Sequence, residues 1–140
     1  MTSAFPLRSG ARMIGLSRPE CLALLASVPV GRVGFTQQAL PVIRPVNHLV
    51  DGDTVVIRTH AGSVLARTTS VADVVVYEAD DLDPHTRTGW SVMVTGPATQ
   101  ITAPADVARY QDLLRPWIEG DMDHIVAISA ELVTGYRLED

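Results

Sequence analysis

The sequence predicts a mainly β protein with short helices, an α+β chain folded as a small antiparallel barrel of six to seven strands. Three observations carry that expectation. From Val30 the hydrophobic pattern changes to a period of two and returns to it in several short runs. Asp51-Gly52 is a strong hairpin signal between two such runs, and Gln38-Ala39 marks an earlier turn. Only three stretches read as helix, and all are short. The chain has 140 residues, of which 46% are hydrophobic and 19% charged, which suits one globular domain with a real core.

Residues 1–15 lack periodicity and read as an N-terminal arm; residues 16–140 form the single domain. "LSRPECLALLASVP" reads as a helix, with Ser17 and Glu20 at capping-box spacing and Pro19 in the first turn, where a missing N–H costs little. Cys21, Leu22 and Leu25 give it one apolar face, and Pro29 ends it. "GRVGFTQ", "PVIRPVNHLV" and "TVVIRT" follow as three strands. Residues 62–70 read as a short helix. "DVVVYEAD" is a strand whose continuous apolar run implies burial on both faces. "DDLDPHTRTG" reads as an acidic loop. "WSVMVTGPATQIT" is a long strand with a bend or bulge at Gly96-Pro97. "PADVARYQDLLRPW" is an amphipathic helix, and "HIVAIS" and "ELVTGYRL" are the last two strands.

Composition narrows the function. The net charge is −5 and the basic residues are scattered, which argues against nonspecific nucleic-acid binding. All 11 basic residues are arginine, so lysine Schiff-base chemistry and a Walker-type lysine are excluded. Any anion site must use guanidinium or main-chain N–H groups. No apolar run approaches a membrane span, no apolar segment of signal-peptide type follows Arg8 and Arg12, and the single Cys21 makes no internal disulfide. A cytoplasmic protein is the expectation. GxSxG, CxxC, HExxH and GxGxxG are all absent. Glu78, Asp80, Asp81 and Asp83 with His85, and Asp121 and Asp123 with His124, lack metal-site spacing, so no metal is expected.

The motifs "LLASVPVGRVGF", "PVNHLVDGDTVVIRT", the glycine-serine-x-leucine of "HAGSVLA", "DLDPHTRTGWSVMVTG" and "HIVAISAELVTGYRL" occur in one order between Leu16 and Leu138. In that order the chain resembles the flavin-binding split-barrel proteins of the pyridoxamine 5′-phosphate oxidase family, in their short actinobacterial, nitroimidazole-reductase-like form. The resemblance implies a homodimer with FMN at the subunit interface. It places the flavin ring along Arg44, Pro45, Val46 and Asn47. It places the phosphate near Arg58, Thr59 and Ser63, and a wall of the ring region, from a strand of the dimer, around Trp90 and Ser91. The family usually carries a basic residue directly after the turn serine, where this chain has Val64 and Leu65. The phosphate would lose one or two charge-assisted hydrogen bonds, each worth about 1.5–3 kcal/mol. Arg67, one helical turn beyond Val64, is a candidate to reach back.

The residues themselves admit plainer roles. Ser63 serves equally as a helix cap. Arg44 shares a strand face with Val42, Val46, His48 and Val50, where it either pairs with an anion or lies at an edge or in a dimer salt bridge. Asn47 offers donor and acceptor to a polar ring edge. Trp90 is either core or cofactor wall. Two functions are therefore expected to compete. One is an FMN-dependent oxidoreductase passing electrons from a reduced nicotinamide, NAD(P)H, to a small-molecule acceptor, with a deazaflavin (F420) as the alternative cofactor. The other is a noncatalytic dimer that stores or senses a flavin-like ligand.

Overall fold

The computed structural model describes residues 11–59, 73–117 and 124–140. Eight strands, all paired antiparallel, form one sheet in the order β1-β8-β6-β5-β2-β3-β4-β7, and a β6–β7 pairing closes six of them into a barrel. They are β1 (Arg12–Gly15), β2 (Val30–Gln37), β3 (Leu40–Asp51), β4 (Thr54–Thr59), β5 (Asp73–Asp83), β6 (Thr88–Ile101), β7 (His124–Ser129) and β8 (Leu132–Glu139). Helix α1 spans Arg18–Ala26 and helix α2 spans Pro104–Leu113. The split-barrel expectation holds. Strands β8 and β1 extend the sheet beyond the closed ring.

Helix α1 forms where the local signals put it. Ser17 Oγ accepts from the Glu20 N–H, and the Ser17 N–H donates to Glu20 Oε1, at 3.3 and 2.9 Å. Cys21 and Leu25 are fully buried against the sheet. Helix α2 stops at Leu113, short of the expected Trp117, and Leu114 is already extended. Pro116 disfavours helical backbone at the residue before it, so the turn cannot continue. No described helix is long and apolar enough to cross a membrane.

Three expectations change. Arg12–Gly15, assigned to the arm, is an edge strand in register with Tyr136–Glu139 of β8. The expected acidic loop is largely hairpin: β5 and β6 stay paired through Asp83 and Thr88. Asp83 Oδ1 accepts from the N–H groups of His85 and Thr86, which forms the turn and lets the ladder run through the acidic residues. The apolar run of β5 is buried on one face only. Val75, Tyr77 and Ala79 lie in the core, whereas Val74 is 66% exposed. In an antiparallel sheet one face can stay outside the core, and here the core cluster lies on the barrel side. The expected helix over residues 62–70 lies outside the described residues.

Two strands change partner along their length. The first half of β6 (Gly89–Thr95) pairs with β8, and its end (Ala98–Ile101) pairs with β7. Similarly, β3 pairs with β2 over Leu40–Asn47 but with β4 only over His48–Asp51. Among the described residues, the β4-facing side of β3 is therefore unpaired from Leu40 to Asn47.

Candidate flavin site

The unpaired side of β3 contains the segment from Arg44 to Asn47. Pro41 and Pro45 have no N–H, so they are tolerated where no ladder bond is required. The alternation of an antiparallel ladder then turns the main chain of Pro41, Ile43, Pro45 and Asn47 toward the open side. One such carbonyl, Ile43 O, accepts from Arg44 Nη1 at 3.2 Å. The edge thus presents N–H donors at Ile43 and Asn47 and a carbonyl acceptor at Pro45. Arg44 and Pro45 are exposed, and Val46 and Asn47 are half-buried.

Asn47 and Arg58 converge on the end of α2. Asn47 Nδ2 donates to Arg115 O at 2.8 Å. Arg58 Nη1 donates to Gln111 O at 3.2 Å and Leu114 O at 3.0 Å. These are orphan carbonyls of a helix C-terminus, which a cation satisfies well. Arg58 therefore anchors α2 to β4. Its neighbour Thr59 points to the opposite face, because successive strand residues alternate. Thr59 is 8% exposed and lies opposite His124. Among the described residues its hydroxyl has no hydrogen-bond partner. Ser63 and Arg67, like Val64 and Leu65, lie outside the described residues.

Within one chain, Trp90 and Ser91 do not lie at this edge. Trp90 is 7% exposed and packed in the core cluster. Strands β5 and β2 separate its strand from β3. Ser91 faces the other side and donates to Glu78 Oε2 at 3.4 Å. There Glu78 and Asp80 share Arg32, at 3.3 and 3.8 Å. Partial burial and then the adjacent Asp80 push the Glu78 carboxyl up to about 7, against the opposing pull of Arg32.

The sign of the resulting pH dependence follows. A carboxyl with a raised folded-state pKa stabilises the fold fully below its unfolded value of 4.5, and that contribution is lost as the pH rises through 7. Glu78→Gln is expected to remove this decline, so that urea midpoints at pH 5 and pH 8 move closer together than in the parent. Equal pH slopes in the two proteins would exclude Glu78 as the source.

Sequence reasoning missed a buried pair behind β3. His48 was legible only as one more residue on a valine-rich face. It is 7% exposed, with Nδ1 2.5 Å from the fully buried Tyr77 hydroxyl and Nε2 2.8 Å from Leu25 O. The two rings meet edge to face. The Tyr77 hydroxyl also lies 3.0 Å from Val46 O, so its one proton is shared between Nδ1 and that carbonyl, which ties the β3 segment to the core. No local signal reveals this pair, because its members come from β3 and β5 and the carbonyl that completes it comes from α1.

The geometry above is that of a known family. The model of pyridoxamine 5′-phosphate oxidase matches residues 17–139. The chain belongs to the pyridoxamine 5′-phosphate oxidase family. An uncharacterized protein of Mycobacterium tuberculosis is 55% identical over 135 residues, covering 94% of this chain and 89% of that one. Among solved structures, the FAD-binding protein of Mycobacterium smegmatis is 31% identical with a TM-score of 0.69, covering 91% of this chain and 100% of that one. A candidate pyridoxamine 5′-phosphate oxidase of Corynebacterium glutamicum is also 31% identical, with a TM-score of 0.77 and coverage of 90% and 92%. Within this family, the order of motifs rather than any single motif carried the signal in the sequence.

Proposed function

We propose that this chain binds a flavin, FMN in the first instance, and serves as a flavin-dependent oxidoreductase between a reduced nicotinamide and a small-molecule acceptor. One observation carries the reading: the unpaired side of β3 across Ile43–Asn47. A flavin ring has one polar edge of alternating donors and acceptors and one apolar body. The N–H groups of Ile43 and Asn47 and the Pro45 carbonyl match the polar edge in kind, and the half-buried Val46 adds apolar surface. The orphaned Thr59 hydroxyl is the second fitting feature, because a buried polar group calls for a partner. Similarity to a FAD-binding protein of M. smegmatis supports a flavin as the class of ligand.

When bound, the flavin supplies the redox chemistry, and the protein supplies position, electrostatics and shielding from water. Residues 44–47 would hold the ring edge through main-chain groups, with the Arg44 guanidinium placing positive charge beside it. Asn47, fixed by Arg115 O, would keep that edge rigid.

The proposal includes a homodimer. Ile43, Gly34, Val76, Thr95 and Leu132 stand in one direct cross-strand row on the outer face of the sheet. Ile43 and Leu132 are 67% and 58% exposed. The three apolar side chains of this row, Ile43, Val76 and Leu132, suit a second copy of the same surface.

The noncatalytic reading is favoured by one observation, the engagement of Arg58 with the α2 carbonyls. A single preparation separates the alternatives. The purified protein is expected to be yellow, with twice the 15.1 kDa chain mass by light scattering. Mass spectrometry of the released ligand distinguishes FMN, FAD and F420. Bleaching by NADH or NADPH supports the oxidoreductase; a coloured protein that resists both supports storage or sensing. A colourless protein that takes up none of the three cofactors defeats the proposal.

A further inference from the structure

We infer that Arg32, Glu78 and Asp80 make self-association of this chain proton-linked: two copies meet through the outer face of the sheet as each takes up a proton on its carboxylate pair. This rests on the homodimer proposed above and adds the condition under which it forms.

Four cross-strand rows cross β5 on that face, at Val76, Glu78, Asp80 and Leu82. Among the described residues, Ile43, Met93, Leu132, Leu82 and Met13 give these rows an exposed apolar surface. Their charged members are Arg32, Glu78 and Asp80 alone. Arg32 stands directly opposite Glu78, with Nη1 3.3 Å from Glu78 Oε1 and 3.8 Å from Asp80 Oδ2. One guanidinium thus serves two carboxylates, and the trio keeps one uncompensated negative charge when both are ionised. In a single chain water still reaches it: the Arg32 side chain is 54% exposed and each carboxylate side chain 30%.

The other groups around the pair are neutral. From β6, Met93 stands opposite Glu78 and Ser91 opposite Asp80, and the Ser91 hydroxyl donates to Glu78 Oε2 at 3.4 Å. Beyond them β8 adds Thr134 and Tyr136, and β3 adds Pro45 beside Arg32. Tyr136 is the one further titratable side chain among these.

A second copy on this face displaces the water. The surplus negative charge is then desolvated, and twofold symmetry sets an identical charge on the opposing surface. Both effects favour the neutral form of one carboxyl. A protonated Glu78 donates to Asp80, which leaves one carboxylate for one guanidinium and no net charge. Partial burial and then Asp80 already push the Glu78 carboxyl up to about 7 in the single chain, and a partner raises it further. Association therefore binds protons. The dimer is strongest below pH 7 and weakens as the pH rises through and beyond that value.

The test is the dissociation constant of the dye-labelled, otherwise intact chain at pH 6 and pH 8, by sedimentation at fixed ionic strength. The parent is expected to dissociate about tenfold or more readily at pH 8, with up to two protons bound per dimer. Glu78→Gln is expected to hold the two values within twofold and to keep the dimer at pH 8, because its trio is neutral throughout. Acidification also reduces the overall net charge of −5, but this substitution changes that by only one per chain, so a flattened profile locates the effect at residue 78. Asp80→Asn removes the same surplus charge from the other position and is expected to flatten the profile likewise, which keeps the test decisive if Glu78→Gln does not fold. A parent dimer of equal strength at both pH values overturns the inference and leaves the homodimer standing. So do variants as pH-dependent as the parent. A chain that stays monomeric at pH 6 at every concentration overturns the homodimer and the inference together.

Discussion

Gly96→Ala is expected to be the most damaging single methyl group added to this protein. At Gly96, β6 leaves β8 and passes to β7. The chain connecting β7 to β8 crosses directly over that point. A Cβ on residue 96 would lie 1.7 Å from Ser129 O and 2.9 Å from the Ser129 carbonyl carbon. Both atoms are backbone, so no rotamer change relieves the contact. Moving the crossing chain would pull the Ala130 N–H from Asp53 O, now 2.8 Å apart, and would disturb the β4–β7 ladder at Thr54 and Ser129. Overpacking of side chains alone costs about 1–3 kcal/mol, and a backbone clash lies at or above the upper end. Against a typical stability of about 5–15 kcal/mol, that loss should lower the melting temperature by roughly 10 °C or prevent folding. Gly15→Ala is the control, since its added Cβ would meet nothing within 4 Å. A Gly96→Ala protein melting with the parent would show that β6 does not pass this close to Ser129.

Tyr77→Phe is expected to have the next largest effect. The hydroxyl serves both His48 Nδ1 and Val46 O in a fully buried position. Its removal leaves the buried His48 Nδ1 and the part-buried Val46 O without that partner, at about 1–3 kcal/mol each. Part of this is recovered by relaxation, so a loss of about 2–4 kcal/mol in urea unfolding is the expected result. A second signature comes from His48. Burial holds its pKa below the ordinary 6.5, partly offset by the Leu25 carbonyl that accepts from Nε2–H. The unfolded chain then binds a proton that the folded chain refuses. The stability from His48 is full above pH 6.5 and falls as the pH drops from there toward the lower folded-state value. Glu78 contributes the opposite slope, so the His48 effect is best read in Glu78→Gln. In that background stability should decline on acidification below pH 6.5, and His48→Gln should flatten the decline. A flat profile before His48 is altered would mean that the imidazole is not held neutral.

Both effects fall outside the reach of sequence reading. The strands could be found because alternation is a property of neighbours, and α1 could be delimited because Ser17 and Glu20 satisfy its first turn within four residues. The turn at Gly52 was legible for the same reason: its positive φ of 59° suits glycine. The acidic hairpin was not, because Asp83 makes its turn with side-chain bonds that composition does not reveal. Arg58 and Thr59 stood together in the sequence as phosphate ligands. The strand turns them to opposite faces, one toward α2 and the other toward His124, 65 positions further along. Trp90 read equally as core or cofactor wall, and packing placed it in the core.

The amino-acid order alone determined most of the strand segments, where α1 begins, and that no lysine ammonium can take part in any site. Those are local matters of side-chain shape, capping and composition. Only the folded barrel decided which side of β3 stays unpaired, which face each arginine and threonine serves, and which residues distant in the chain meet. Those depend on ladder register and on partner changes at β3 and β6, and both are fixed by contacts between strands rather than within them.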